Sequence, residues 1–284
     1  MKVIRRPEAF AAAMESERLR GRTLGFVPTM GALHEGHLSL VRTARRENDR
    51  VAVSIFVNPM QFGPSEDFRR YPRPAARDRR LLEQEKVSYL FMPSPQAFYP
   101  GGFQTTVEPG PLAEGLCGRF RPGHFLGVTT VVAKLFHLAK PHRAYFGAKD
   151  YQQARVIERM VIDLGFDLQM RIMPTLRESD GLAMSSRNVY LDADGRRRAL
   201  ALFESFKLAR DLIRRKVTDP RRLRAKVAAF LSKHVDKVQY AEFVDPETLE
   251  TLKAAQPRML LALACYVGKT RLIDNAIISV PRGK

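Results

Sequence analysis

The chain has 284 residues, of which 45% are hydrophobic, and a formal net charge of +18 at pH 7. This length is enough for one large domain or two modest ones, and no apolar run approaches the roughly 18 residues that span a membrane. The charged N-terminus has no long apolar segment, so we expect no signal peptide. With Cys117 and Cys265 as its two cysteines, the chain has no disulfide framework, and we expect it to be cytoplasmic.

The basic excess first suggests a nucleic-acid partner, but its distribution does not favour one. Residues 1–175 and residues 176–284 each carry nine more basic than acidic side chains. The densest basic segment, GRRRALALFESFKLARDLIRRK from Gly195, is typical of an amphipathic helix with a solvated basic face. We interpret the charge as a surface that helps to attract anionic substrates, with RNA binding as the alternative.

Short apolar runs alternate with helical patterns along the first 175 residues. In chain order they predict a strand over 23–29, a helix over 36–48, a strand over 50–58, a helix over 75–86, a strand over 87–93, a helix over 127–140, a strand over 144–147, a helix over 150–165 and a strand over 167–175. This alternation predicts an α/β fold, a Rossmann-like doubly wound parallel sheet, over residues 1–175.

The pattern changes after residue 175. Two basic helices, at about 193–216 and 219–233, precede two β-like runs, VQYAEFVD and RMLLALACYVG. Helices followed by strands predict a smaller α+β domain over residues 176–284. Between the domains, the polar segment 176–191 contains glycine and lacks helical periodicity, so we expect a loop at a junction where ligands often bind.

Two histidines, His34 and His37, flank Gly36 in PTMGALHEGH, directly after a predicted strand. A zinc site is disfavoured because this spacing is one residue shorter than H-E-x-x-H and because glycine breaks a helix. Packing explains a single histidine more readily than a pair. The third interpretation is a phosphate site, since a helix that begins here offers unpaired N–H groups and its positive dipole end. Imidazoles beside it can donate hydrogen bonds to phosphate oxygens.

A P-loop is not present in the sequence. The segment VGKT at 267–270 ends like one, but Leu263 occupies the position of its first glycine.

Six blocks in order carry a resemblance to a known family: PTMGALHEGH, VSIFVNPMQF, RPGHFLGV, FGAKDYQQ, DGLAMSSRN and RLIDN, which together run from residue 28 to 275. The H-x-G-H turn resembles that of the nucleotidylyltransferase superfamily, which includes class I aminoacyl-tRNA synthetases. Together the blocks resemble the pantothenate synthetase (pantoate–β-alanine ligase) family.

The resemblance implies a ligase that joins pantoate to β-alanine with ATP, on the route to coenzyme A. A pantoyl-adenylate forms with release of pyrophosphate, and the amine of β-alanine then displaces AMP. The resemblance also implies a homodimer, and the apolar strand RVAVSIFVN is one candidate for its surface. Magnesium is expected with ATP, bound mainly through phosphates and water, and we assign it no protein ligand.

The family's site residues transfer onto matching positions of this chain. ATP binding is implied for Met30, Gly31, Ala32, Leu33, His34, Glu35, Gly36, His37, Gly147, Ala148, Lys149, Asp150, Leu176, Met184, Ser185, Ser186 and Arg187. Catalysis is implied for His34, His37, Lys149, Ser185, Ser186 and Arg187, with His37 in the proton-donor position. Binding of pantoate and β-alanine is implied for Asn58, Gln61 and Gln153.

Three further expectations follow from the resemblance. The MSSR segment is the counterpart of the mobile KMSKS loop, so we expect the second domain to carry it and to close over the site. Arg121 and His124 are expected to hold an active-site flap or the phosphates. Ala148 stands where the family usually has glutamate.

Two alternatives to this ligase activity remain: another nucleotidylyltransferase, and a basic RNA-binding module with an inactive synthetase-like fold.

Overall fold

The computed structural model describes residues 1–64 and 66–280. The chain divides into two compact units. The N-terminal unit comprises residues 1–113, 117–148 and 153–174, and the C-terminal unit comprises residues 114–116, 149–152 and those from Thr175 onward.

Strands and helices alternate through the first 175 residues. In chain order the elements are β1 (Lys2–Ile4), α1 (Pro7–Leu19), β2 (Leu24–Thr29), α2 (Glu35–Glu47), β3 (Arg50–Ile55), α3 (Ala75–Gln84), β4 (Tyr89–Phe91), α4 (Pro95–Phe98), α5 (Cys117–Phe120), α6 (His124–Ala139), β5 (Arg143–Gly147), α7 (Tyr151–Asp163) and β6 (Gln169–Met173).

The six strands form one parallel sheet in the order β1-β4-β3-β2-β5-β6. From β2 the chain winds outward through β3 to β4, and it then returns across the sheet to β5 on the other side of β2. The direction of winding therefore reverses between β2 and β5. Ligands of doubly wound folds bind outside the carboxyl ends of the strands at such a point. We therefore expect the ligand beside Thr29 and Gly147, the residues that end β2 and β5.

Packing on both faces explains why the central strands are continuous apolar runs. Val27, Val53 and Leu90 are fully buried, and Val41 and Ala44 from the apolar face of α2 pack in the same cluster. Close packing therefore holds the strands in place where the segments that follow them begin.

The C-terminal unit contains α8 (Ala193–Ala199), α9 (Ala201–Arg214), α10 (Pro220–Leu231), β7 (Lys237–Val244), β8 (Arg258–Val267) and β9 (Thr270–Ser279). The three strands form an antiparallel sheet in the order β7-β8-β9. Phe206, Leu223 and Val227 from the helices and Phe243 and Leu261 from the sheet are buried in its core.

The predicted fold class is confirmed: an α/β Rossmann-like parallel sheet is followed by a small α+β unit. The predicted helix over 193–216 is wrong as a single element, because it is interrupted at Leu200 and forms α8 and α9. The dimer surface stays a prediction, and β3, which contains most of RVAVSIFVN, lies inside the sheet between β4 and β2.

Five elements were not predicted from the sequence: β1, α1, the short helices α4 and α5, and β9. Phe10 and Met14 are buried on α1 at helical spacing, a signal hidden among the charges of the N-terminus. β9 alternates buried and less buried residues, but Arg271 and Asp274 obscure its apolar pattern. The segment VGKT forms the tight turn of the β8–β9 hairpin, with Val267 opposite Thr270, and Gly268 there has a positive φ of 56°.

Among the described residues, no helix combines the length and the apolar character needed to cross a membrane.

Candidate active site

The turn after β2 is shaped by the backbone of Gly31 and Ala32. Both have positive φ angles, 83° and 50°. A Cβ on Gly31 would lie 2.9 Å from a methyl carbon of Ile55, so glycine is required there on steric grounds as well. The hydroxyl of Thr29 donates to the carbonyl of Ser54 at 2.7 Å and accepts from the Gly31 N–H at 3.2 Å. The turn is therefore tied to β3 before the helix begins.

A buried carboxylate from α3 holds the same turn. The two oxygens of Asp78 accept one N–H each, from Ala32 at 2.7 Å and from Leu33 at 2.9 Å. Asp78 has no exposed surface. Burial raises the pKa of this carboxyl, against the lowering effect of the two amides. Asp78 was not predicted from the sequence, because an aspartate in the run RDRR is typical of a solvated helix face.

The two histidines cap α2. Nδ1 of His34 accepts the N–H of Gly36 at 3.2 Å, and Nδ1 of His37 accepts the N–H of His34 at 3.4 Å. The ring centroids lie 4.1 Å apart. Because each Nδ1 accepts a hydrogen bond, each neutral ring carries its own proton on Nε2. Both rings are thus set as Nε2–H donors beside the positive end of the helix.

The other residues of this turn contribute in different ways. The Glu35 carboxylate forms an ion pair with Arg42, whose hydrogen bonds lower the pKa of that carboxyl against the effect of burial. Gly36 gives its N–H to the cap, and Met30 offers its sulfur to the side-chain amide of Gln61 at 3.0 Å.

Asn58 and Gln61 follow β3 and meet each other. Asn58 is 1% exposed and donates to Oε1 of Gln61 at 3.2 Å and to the carbonyl of Gly127 at 2.9 Å. Its own oxygen accepts from the Met60 N–H and from the hydroxyl of Tyr99. Asn58 therefore orients Gln61, and Gln61 lies closer to solvent at 8% exposed.

Gln61 is also held through its backbone. His124 donates from Nδ1 to the Gln61 carbonyl at 2.8 Å, and Arg121 donates to the same oxygen at 3.2 Å. The Arg121 guanidinium also donates to Nε2 of His124 at 2.9 Å, which fixes the His124 ring as the neutral Nδ1–H tautomer. Glu66 completes the group with two 2.6 Å hydrogen bonds to Arg121. We call Glu66, Arg121 and His124 the clamp.

The second strand at the winding reversal ends at Gly147, and Ala148 follows it in the N-terminal unit. Gln153 is half-buried in the first turn of α7 and belongs to the same unit. The structure thus gathers four segments into one unit: the histidine turn, the Asn58–Gln61 pair, Gly147 with Ala148, and Gln153.

The remaining predicted residues belong to the C-terminal unit. Lys149 is half-buried and Asp150 exposed in a 3-10 turn that leads into α7. Met184 donates its N–H to the carbonyl of Leu176 at 3.1 Å. Ser185 caps a second 3-10 turn by accepting the N–H of Arg187 at 3.2 Å. Ser186 and Arg187 begin that turn and are half-buried, so the segment predicted as a plain loop has local helical structure.

A resident metal centre has no support in the described part of the chain. Across residues 1–64 and 66–280, no three His, Cys, Asp or Glu side chains are grouped so that they could hold a metal ion.

Comparison with known proteins gives one consistent family. The profile of the Pantoate-beta-alanine ligase family matches residues 2–277. The pantothenate synthetase of Thermotoga petrophila is 53% identical over 279 residues, which cover 98% of this chain and 100% of that protein. The enzyme of the same name from a Sulfurihydrogenibium species is 50% identical over 277 residues, 97% of this chain and 99% of that protein.

Solved structures agree. The pantothenate synthetase of Thermus thermophilus has a TM-score of 0.91 at 46% identity, and the match covers 97% of this chain and 99% of that one. The pantoate–β-alanine ligase of Francisella tularensis, complexed with beta-gamma ATP and β-alanine, has a TM-score of 0.79 at 36% identity and covers 98% and 97%.

Proposed function

The chain belongs to the pantoate–β-alanine ligase family, and we propose which of its side chains carry out the condensation of pantoate with β-alanine. The ligation uses ATP and proceeds in two steps. A carboxylate oxygen of pantoate bonds to the α-phosphorus of ATP, and the bond to the bridging oxygen breaks as pyrophosphate leaves. The neutral amine of β-alanine then bonds to the activated acyl carbon. The bond from that carbon to the bridging oxygen breaks, AMP leaves with this oxygen, and the nitrogen releases one proton.

The histidine cap is the observation that carries the assignment. Both Nδ1 atoms are occupied by backbone N–H groups, so His34 and His37 present Nε2–H donors at the N-terminus of α2. Negative charge grows on the phosphates as pyrophosphate departs, and fixed donors placed there stabilise the transition state more than the ground state. We assign His37 a hydrogen bond from Nε2–H to the departing pyrophosphate, at the position for which the family resemblance implies a proton donor.

Backbone groups of the same turn complete the nucleotide site. Met30, Gly31, Ala32, Leu33, Glu35 and Gly36 form the wall against ATP, and Gly147 and Ala148 form the opposite wall after β5. The fixed positions of Gly31 and Ala32 support this role, because the N–H groups of Ala32 and Leu33 are turned inward onto Asp78. The outward face of the turn is thereby set for the nucleotide. Ala148 contributes backbone, since it lacks the usual carboxylate of the family.

Gln61 and Gln153 bind pantoate, and Gln61 also lies beside β-alanine. A carboxamide suits both substrates because it donates to a carboxylate and accepts from a hydroxyl or amine. Asn58 acts on substrate through Gln61, since its own polar atoms are all engaged within the protein. Arg121 and His124 hold the Gln61 carbonyl.

Lys149, Asp150, Leu176 and the segment 184–187 supply the ATP contacts of the C-terminal unit. The ammonium of Lys149 and the guanidinium of Arg187 bind phosphate oxygens, and the hydroxyls of Ser185 and Ser186 donate to them. We assign closure over the nucleotide to residues 176–284, by analogy with the synthetase loop. Mg²⁺ enters as the MgATP substrate, and it neutralises phosphate charge when bound.

The cytoplasm is proposed as the setting, because ATP is consumed there. The homodimer implied by the family resemblance is likewise a proposal, and sedimentation of the purified protein tests it directly.

Exchange of labelled pyrophosphate into ATP tests the assignment. We expect exchange that requires pantoate. His37→Ala and Lys149→Ala should each lower its rate roughly 10²–10³-fold, the cost of one preorganised donor, whereas Gln61→Ala should chiefly raise the KM for pantoate. His234→Ala is the matched control, because that ring is exposed beyond α10.

Three results would contradict the proposal. Exchange without pantoate would favour another nucleotidylyltransferase. Salt-sensitive tRNA binding without AMP formation would favour the RNA-binding alternative. Full activity of the Lys149 variant would remove that residue from the mechanism.

A further inference from the structure

The motif RLIDN has no chemical role in the reaction described above, yet two of its side chains meet segments of the proposed ATP site. It lies on β9, one of the two edge strands of the small sheet, where Asp274 pairs with Leu263 and Asn275 with Ala262 on β8. Successive side chains on a strand point to opposite faces. Asp274 and Asn275 can therefore hold two different segments from one point of the strand.

Asn275 holds Lys149. Its side-chain amide donates to the Lys149 carbonyl at 2.8 Å, across 126 positions of sequence. The next residues are also tied within the C-terminal unit, since the Tyr151 hydroxyl donates to the Pro246 carbonyl at 3.1 Å and the Gln152 amide donates to the Gly115 carbonyl at 2.8 Å. The backbone from which the lysine ammonium extends is thus fixed by side-chain hydrogen bonds as well as by its own turn.

Asp274 holds Arg177. The carboxylate is 3% exposed and accepts two hydrogen bonds from the guanidinium, at 2.6 and 3.0 Å. The same guanidinium donates to the Gly181 carbonyl at 3.1 Å and lies 5.0 Å from the ring centre of Phe203. Arg177 bridges to Ala183 across the short hairpin that leads directly into Met184 and the MSSR segment.

We propose that Asp274 and Asn275 are positioning residues for adenylation: Asn275 sets the origin of the Lys149 side chain, and Asp274 sets the hairpin that carries the MSSR segment. This inference rests on the proposed roles of Lys149 and the MSSR segment. Neither residue touches the reacting atoms. Misplacement of a binding group by about 1 Å can cost on the order of 10² in rate. Asp274 and Asn275 therefore affect the adenylation rate through the positions of Lys149 and of Arg187 in the MSSR segment.

A double-mutant cycle tests the Asn275 arm. Pyrophosphate exchange is measured for the parent, Asn275→Ala, Lys149→Ala and the double variant, and Ser279→Ala on the exposed end of β9 is the control. Loss of one hydrogen bond predicts that Asn275→Ala lowers exchange roughly 3- to 10-fold in the parent. It should lower exchange no further once Lys149 is alanine, because the group that it places is gone. A purely structural effect would reduce both backgrounds by the same factor.

The results separate this inference from the proposed function. An equal effect of Asn275→Ala in both backgrounds, or no effect in the parent, overturns the inference while leaving Lys149 in its role. An unchanged rate for Lys149→Ala alone overturns the role of Lys149 and this inference with it.

A second cycle tests Asp274. Asp274→Asn is expected to raise the KM for ATP roughly 10-fold in the parent and to have no effect in the Arg187→Ala background. Equal effects in the two backgrounds contradict the Asp274 arm. If the Asp274 variant does not fold, the Asn275 cycle decides the proposal.

Discussion

Replacing Asp78 with Asn changes one atom beneath the turn at the proposed nucleotide site. The carboxylate accepts the N–H groups of Ala32 and Leu33 on separate oxygens, and it is fully buried. In Asp78→Asn one oxygen becomes an NH₂ group that faces an N–H donor. One hydrogen bond to a charged acceptor is lost, and such a bond contributes roughly 1.5–3 kcal/mol. Because the shape is kept, no cavity is formed, so we expect a loss of about 2–3 kcal/mol in the free energy of unfolding.

The same change should alter nucleotide use selectively. A loosened turn misplaces the His34 and His37 donors, so kcat/KM for ATP should fall at least roughly 10-fold while the KM for β-alanine is unchanged. Urea unfolding followed by circular dichroism measures the first effect, and initial rates of AMP formation measure the second. Asp163→Asn is the matched control, since its exposed ion pair with Arg159 contributes little.

If Asp78→Asn unfolds at the same urea concentration as the control and keeps the parent kcat/KM for ATP, the two hydrogen bonds to Asp78 do not hold the turn.

Two further substitutions test the clamp and the hairpin. Burial tends to raise the pKa of Glu66, but the hydrogen bonds and charge of Arg121, together with a backbone hydrogen bond from Gly63, outweigh burial and hold the pKa below its ordinary value. The carboxylate therefore stabilises the fold above about pH 4.3, and this stabilisation is lost as pH falls through the lowered pKa. Glu66→Gln should cost roughly 1–3 kcal/mol of unfolding free energy at pH 7 and progressively less in acid, and equal costs at pH 7 and pH 3 in urea titrations would contradict this. Gly181→Ala should lower the Tm more than Gly165→Ala, because both have positive φ but a Cβ at Gly181 alone meets the Phe203 ring, at 2.2 Å; equal Tm values would count against that contact.

The sequence predicted the parallel sheet because its central strands are continuous apolar runs that end in recognisable turns. It also predicted the histidine turn as a phosphate site, because a strand, a glycine and a helix start follow one another within a few residues. The strands, the turn and the start of the helix are local features, and local order in the chain is enough to recognise them; phosphate binding at the turn stays a prediction.

The residues that hold the site residues in place could not be predicted from local patterns, because their roles depend on contacts between distant segments. Asp78 reaches back more than forty positions to Ala32, and its surroundings in sequence are those of an exposed helix. The clamp joins Glu66 to Arg121 across 55 positions. Asp274 and Asn275 were within a block that carried the resemblance, but without the pairing of β9 nothing in the sequence gave them a partner.

The bond from Asn275 to Lys149 has a consequence for when the protein can first become active. A ribosome makes the lysine more than a hundred residues before it makes β9, and chains fold from the amino end as they emerge. A nascent chain that has already folded its parallel sheet still lacks the strand that steadies Lys149. Full catalytic competence should therefore appear only after the β8–β9 hairpin has left the exit tunnel.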